Sequence, residues 1–271
     1  MPVSRWAQHR FIRFVAAHRR STPVRAGARL ARAYLRSYGN WNYDPATNGE
    51  QRVLNRLARL NPGVVFDVGA HVGDWALAAT RAMPRAQIHA FELIDVTADK
   101  LGERMRDQAN VVVNAFGLGE EEAEIEAAYH PSFPEGSGIN PSIFRQQAVE
   151  RRRARVVSGD VYCKDRGIDH VDYLKIDAEG ADLQVVRGFG GMLEAGAVHA
   201  LQFEYGWANI PAHALLYDFY EFLGDCGYLV GKVFPEHVEF RPYRIEEDED
   251  FIGPNYVAVH ATRQGIIDQL A

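Results

Sequence analysis

Apolar and polar positions along this chain fall into two alternating kinds of block. Short, nearly unbroken apolar runs occupy residues 64–69, 86–92, 111–118, 173–177 and 198–205, the pattern of strands buried on both faces. Between them, residues 74–83, 95–108, 181–193 and 212–223 carry apolar residues at helical spacing. Ahead of the first strand, Val53, Leu54, Leu57 and Leu60 form a helical stripe that ends at Asn61-Pro62-Gly63, and Thr47 to Glu50 reads as a capping box. Strands separated by helices of this length need crossovers, so the chain predicts an α/β fold with a mostly parallel sheet. Residues 228–234 and 256–261 are late strands with no helix evident between them, and are expected to pair antiparallel at one edge. Residues 122–160 are less regular. An extra strand is expected at 125–129, followed by a loop over 130–143 rich in proline and glycine, of a length that suits a lid.

Charge separates the first 40 residues from the rest. They hold nine arginines and no acidic residue, so a net charge of −6 conceals an excess of 15 negative charges in the remainder. Phe11, Phe14 and Val15 share one helical face, and Leu30, Ala31, Tyr34, Leu35 and Tyr38 share another. The segmentation is therefore an Arg-rich helical appendage at 1–45 and a single domain at 46–271. The simplest expectation is that the apolar faces pack on that domain. An acid-free, Arg-rich segment also suits peripheral contact with an anionic membrane, or a transit peptide. Arg10, Arg13, Arg19 and Arg20 interrupt any signal-peptide core. No apolar run reaches the roughly 20 residues of a membrane span. Cys163 and Cys226 are the only cysteines, too few for a thiolate metal cage, and they suit a reduced, cytoplasmic protein. The acidity of residues 41–271 argues against a nucleic-acid partner.

Asp67-Val68-Gly69-Ala70-His71-Val72-Gly73-Asp74 lies where the first strand turns into a helix. Gly69 permits a sharp turn and close approach of a ligand, and Gly73 lets the helix start beside the strand. Asp67 could receive an ammonium group, directly or through water. Glu92 ends the second strand, where a carboxylate can accept hydrogen bonds from both ribose hydroxyls. A dinucleotide fingerprint would read G-x-G-x-x-G; here the glycines stand as G-x-x-x-G, with an acid where a pyrophosphate would be repelled. S-adenosylmethionine, which is cationic and carries no phosphate, suits the site better.

Lys175-Ile176-Asp177-Ala178-Glu179-Gly180 ends a later strand and Phe203-Glu204-Tyr205-Gly206-Trp207 the next. If these strands are neighbours, Asp177 and Glu204 stand side by side at the sheet's mouth, and their repulsion raises one pKa toward that of a general base. They could instead hold a divalent cation, although no metal site is assigned. The plain structural alternative has Lys175 and Glu179 in ordinary ion pairs and Asp177 capping the helix. Glu179 and His130 are further candidates for proton transfer. Tyr129, Phe133, Phe144, Tyr205 and Trp207 are candidates for the acceptor's walls.

Asn48-Gly49-Glu50, Asp67-Val68-Gly69-Ala70, Lys175-Ile176-Asp177-Ala178-Glu179-Gly180 and Gln202-Phe203-Glu204-Tyr205 occur in that order, and together resemble the FkbM family of S-adenosylmethionine-dependent methyltransferases. The resemblance covers residues 45–262. It implies a class I methyltransferase (Rossmann-like) fold with seven strands, the last antiparallel, and O-methylation of a sugar, glycolipid, polyketide or related secondary metabolite. By the same resemblance Asp67, Gly69, Ala70 and Gly73 line the methionine part and Glu92 holds the ribose. His71 and Leu93 depart from the Asn and Pro of many relatives, and His71 bears on how the cofactor's carboxylate is held. The alternatives are an NAD-dependent oxidoreductase and a nucleoside-binding protein without catalysis.

Overall fold

The computed structural model describes residues 5–131, 137, 138 and 149–271. They form two compact units, 1–41 and 42–271. The first holds helices α1 (Arg5–Ala17) and α2 (Thr22–Tyr38).

The second unit begins with α3 (Glu50–Ala58) and β1 (Val64–Val68), then α4 (Asp74–Ala82), β2 (Gln87–Phe91), α5 (Asp95–Met105), β3 (Val111–Asn114), β4 (Gly117–Gly119) and β5 (Ala123–Tyr129). Next come β6 (Glu150–Ser158), α6 (Gly159–Arg166), β7 (Val171–Ile176), α7 (Asp182–Gly188), α8 (Gly190–Glu194) and β8 (Val198–Glu204). The chain closes with α9 (Asn209–Ala212), α10 (Leu216–Asp225), β9 (Tyr228–Val233), β10 (Val238–Phe240), α11 (Ile245–Asp248), β11 (Asn255–His260) and α12 (Gln264–Leu270).

Eight strands form one sheet in the order β10-β9-β11-β8-β7-β1-β2-β3, while β4, β6 and β5 form a small second sheet. The segment β3-β2-β1-β7-β8 is parallel throughout. β11 runs antiparallel between β8 and β9, and β10 folds back antiparallel on β9. The late antiparallel pair is therefore present as expected, with one short strand added outside it.

Side chains alternate between two cores. Phe66, Leu174, Leu201 and Phe203 face the core that includes residues of α6, α7, α8 and α10. Val65, Tyr173, Ala200 and Val257 face the one that includes residues of α3, α4 and α12. On this second face the alternation brings Asp67, Lys175 and Gln202 into one row, because Asp67 is paired in register with Lys175 and Lys175 with Gln202. A polar row has thus replaced apolar side chains near the carboxyl ends of three neighbouring strands.

Three local expectations need correction. Thr47 does not cap α3: the helix starts at Glu50 behind Gly49, which is left-handed at φ 104°, and the Asn48 side chain accepts from the Glu50 N–H. The run 111–118 is split, since Gly117 leaves β3 to join the small sheet as part of β4. The helix expected over 181–193 breaks at Phe189, whose ring is wholly buried.

Candidate active site

The turn after β1 is tied to the end of β2. The Gly69 and Ala70 N–H groups both donate to the Phe91 carbonyl, at 3.0 and 2.9 Å. Gly69 has φ 77°, and a β-carbon there would collide with the Asp177 carbonyl. Only glycine lets the β1 turn lie against the end of β7. Gly73, at φ 86°, precedes α4, and a side chain there would strike Leu101 and Met105. Glu92 is buried, with one carboxylate oxygen accepting from the His71 N–H and the other from the Ile94 N–H, each at 2.9 Å. Burial raises its pKa, and these two backbone bonds oppose the rise.

Two cavities meet at this turn. The first is lined by Gly69, His71, Glu92, Leu118, Asp177 and Glu179, among others. The second is lined by Glu50, His71, Trp75, Lys175, Asp177 and Glu204, among others. Gly69, His71 and Asp177 line both. Ala70 lines the second alone, and Gly73 lines neither. Such a crevice beyond the carboxyl ends of the strands is where open α/β sheets take ligands.

Asp67 has a different place from the cavity wall. It is wholly buried, lines neither cavity and lies 3.4 Å from the Lys175 ammonium. Lys175 lies 3.3 Å from Asp177 on its other side. Burial alone would lower the Lys175 pKa, but Asp177, Asp67, Glu50 and Glu204 together hold it above its ordinary value. Lys175 is therefore a charged hub, paired with Asp67 and Asp177.

Beneath it runs a chain of hydrogen bonds. The Tyr173 hydroxyl donates to Gln202 at 2.7 Å, and the Gln202 amide donates to Asn255 at 3.1 Å. Glu50, reaching in from α3, is raised by burial, with Lys175 opposing.

β7 and β8 are neighbours, and their register, continued past Lys175 and Gln202, brings Asp177 and Glu204 together. Burial raises the Glu204 pKa well above its ordinary value, and Asp177, Asp182, Glu179 and Glu50 add to this. Asp182 is the residue that motif reading missed. Its two oxygens accept from the Gly180 and Glu204 N–H groups, each at 3.2 Å, tying the β7–α7 turn to the tip of β8. Burial, then Asp177, push it up to about 7. α7 starts at Asp182 with Ala181 in the capping position, so Asp177 is not a helix cap. Glu179 lines the first cavity with a left-handed backbone, φ 49°.

The expected aromatic walls fare unevenly. Phe133 and Phe144 lie outside the described residues. Tyr205 is buried in the core and donates to Glu249 at 2.7 Å, and Tyr129 packs beside Ile94 and Ala127. Neither lines these two cavities, nor does the exposed Trp207; Phe91 in the first and Tyr43 and Trp75 in the second supply the aromatic surface instead. His130 is fully buried rather than solvated, because Ser137 and Gly138 fold back on the end of β5. Among the described residues no group of three His, Cys, Asp or Glu side chains is placed to hold a metal ion.

An antiparallel strand set between two parallel ones, a glycine turn at the tip of β1 and an acid at the tip of β2 define a class I methyltransferase domain. Residues 67–230 match the methyltransferase FkbM domain, and the chain belongs to that family. This membership displaces the NAD-dependent alternative. Methyltransferase sdnD of Sordaria araneosa is 30% identical over 157 residues, which cover 47% of this chain and 60% of that protein. Hexuronic acid methyltransferase AglP of Haloferax volcanii is 25% identical over 150 residues, 54% of this chain and 59% of that one. The chain thus spans less than two thirds of the length of these curated relatives. The crystal structure of Methyltransferase FkbM from Methylobacillus flagellatus KT superposes with a TM-score of 0.48 at 14% identity, over 73% of this chain and 44% of that chain.

Proposed function

We propose that the chain is an S-adenosylmethionine-dependent O-methyltransferase acting on a hydroxyl of a sugar, glycolipid, polyketide or other small molecule. The observation that carries this reading is that Asp177 lines both cavities, at the point where they meet. The residues present fit the cofactor. Glu92 is fixed at the rim of the first cavity for a ribose. Among the described residues, His71 Nε2 and Trp75 Nε1 are buried nitrogens without a hydrogen-bond partner, in residues that line the second cavity. A polar atom left in that state asks for a ligand, and we assign the pair to the cofactor's carboxylate.

Bound there, the cofactor supplies an activated methyl group on a sulfonium. The work of this chain is alignment, exclusion of water and removal of the acceptor's proton. Asp177 takes that proton, because it alone among the acids of the second cavity also faces the first. Glu204, whose pKa burial and the neighbouring acids raise, stands beside Asp177 on the second cavity and helps to orient the acceptor oxygen. Lys175 keeps Asp177 in position and offsets the acids around it. Asp67 acts from behind Lys175, and Glu179 shapes the first cavity rather than moving a proton.

Transfer of a labelled methyl from S-adenosylmethionine into one metabolite or glycan of a host extract tests the reading. An ether-linked methyl in the wild-type product, and none with Asp177→Asn, is the expected result. Tight cofactor binding with no methyl transferred to any fraction would leave a nucleoside-binding protein without catalysis.

A further inference from the structure

The appendage presents two chemistries on opposite sides of one helix. In α2, Arg25, Arg29, Arg32 and Arg36 recur at steps of four, three and four, which places them on a single stripe. Leu30, Ala31, Tyr34, Leu35 and Tyr38 occupy the other side. No residue of α2 is buried; Leu30 is 74% exposed and Tyr38 73%. α1 repeats the composition, with Phe11 68% and Phe14 56% exposed and the Arg10 guanidinium 4.7 Å from the Trp6 ring. Residues 1–40 contain no carboxylate that could neutralise these arginines.

We propose that α1 and α2 form a docking surface for an anionic lipid bilayer. The arginines meet the headgroup charge, while the tyrosines, phenylalanines and leucines enter the boundary between headgroups and acyl chains. A bilayer is the occupant that uses both sides at once. A nucleic acid would engage the arginine stripe and leave the apolar side in water. The remainder of the chain carries an excess of 15 negative charges, so its net charge opposes such a membrane while that of residues 1–40 favours it. The proposal is independent of the methyltransferase reading, because its test reads binding without turnover.

The test is co-sedimentation of the full chain with phosphatidylcholine vesicles, with and without phosphatidylglycerol. Binding is expected only with phosphatidylglycerol, and should weaken as salt is raised. Joint replacement of Arg25, Arg29, Arg32 and Arg36 by Glu should weaken it by roughly a hundredfold or more, at about fivefold or more per charge. Joint replacement of Leu30, Tyr34, Leu35 and Tyr38 by Ser should weaken it by roughly tenfold or more. An unchanged midpoint of thermal unfolding shows that both variants remain folded. Equal binding to neutral vesicles, or indifference to either replacement, overturns the proposal. So does tighter binding to a single-stranded oligonucleotide that the serine variant retains, or absent vesicle binding alongside an oligomer that the serine variant dissociates.

Discussion

Asp177 Oδ2 lies 3.3 Å from the Lys175 ammonium while its residue lines both cavities of the site. One carboxylate is thus anchored on a buried charge and open to ligand on two sides. Asp177→Asn keeps the size and loses the carboxylate proposed to take the acceptor's proton. Turnover is expected to fall by roughly a hundred- to ten-thousandfold, the usual range for a lost proton acceptor. Affinity for S-adenosylhomocysteine, measured by calorimetry, should change far less. Equal losses in both would mark Asp177 as a binding group only.

Lys175→Met is expected to act on the fold as well as on the reaction. It leaves Asp67, which is wholly buried, without its counter-charge. Breaking a buried pair from one side costs about 3–5 kcal/mol, to be read from denaturant unfolding. A loss below about 1 kcal/mol would show that Lys175 does not hold Asp67.

Trp75→Phe removes one nitrogen and keeps the ring against Tyr173. Losing one donor to a charged group should weaken S-adenosylhomocysteine binding by roughly tenfold or more. 5′-Methylthioadenosine, which has no carboxylate, should bind both proteins alike. A matched loss for the two ligands would remove Trp75 from the carboxylate site.

Stability should respond to pH through Asp182, whose pKa rises from an ordinary 3.8 to about 7 in the fold. A carboxyl raised in this way contributes stability that is full below its unfolded value and lost as pH climbs through the folded one. The wild type's advantage over Asp182→Asn should therefore be greatest near pH 4 and shrink by about 2–4 kcal/mol by pH 8. Asp172, at the opposite end of the sheet, carries the reverse sign. It accepts from the Gly63 and Val64 N–H groups and from His199, and its pKa is lowered to about 2. Its contribution stands above about pH 4 and fades as pH falls through 2. A difference between wild type and Asp182→Asn that does not vary with pH would contradict the assignment.

The alternation of apolar runs and helices revealed the sheet and the glycine turn because those elements are buried and strongly periodic. Lys175 and Gln202 stood in the sequence only as members of the two motif segments that carry Asp177 and Glu204. Their joint meaning required the register that lines them up with Asp67. β6 escaped notice because its Arg151, Arg152, Arg153 and Arg155 imitate a solvated loop. In the fold two of them pair across to acids on or beside β5, Arg151 with Glu126 at 2.9 Å and Arg155 with Glu122 at 2.6 Å. Asp182 was hidden for another reason: an acid in the first turn of a helix is ordinary, and only the tertiary contact with the Glu204 N–H sets it apart. The capping box failed because Gly49 could take a left-handed turn that Thr47 could not signal.

The Phe91 carbonyl receives two N–H groups from the turn after β1, and Glu92, the next residue, binds a third at His71. The tips of the first two strands are therefore laced into one jaw. A nucleoside entering it would find the grip already set, with no separate ordering step for the ribose side and the amino-acid side. By the same lacing, damage at either tip would be transmitted to the other, so substitutions at Gly69 and at Glu92 should be hard to rescue one at a time.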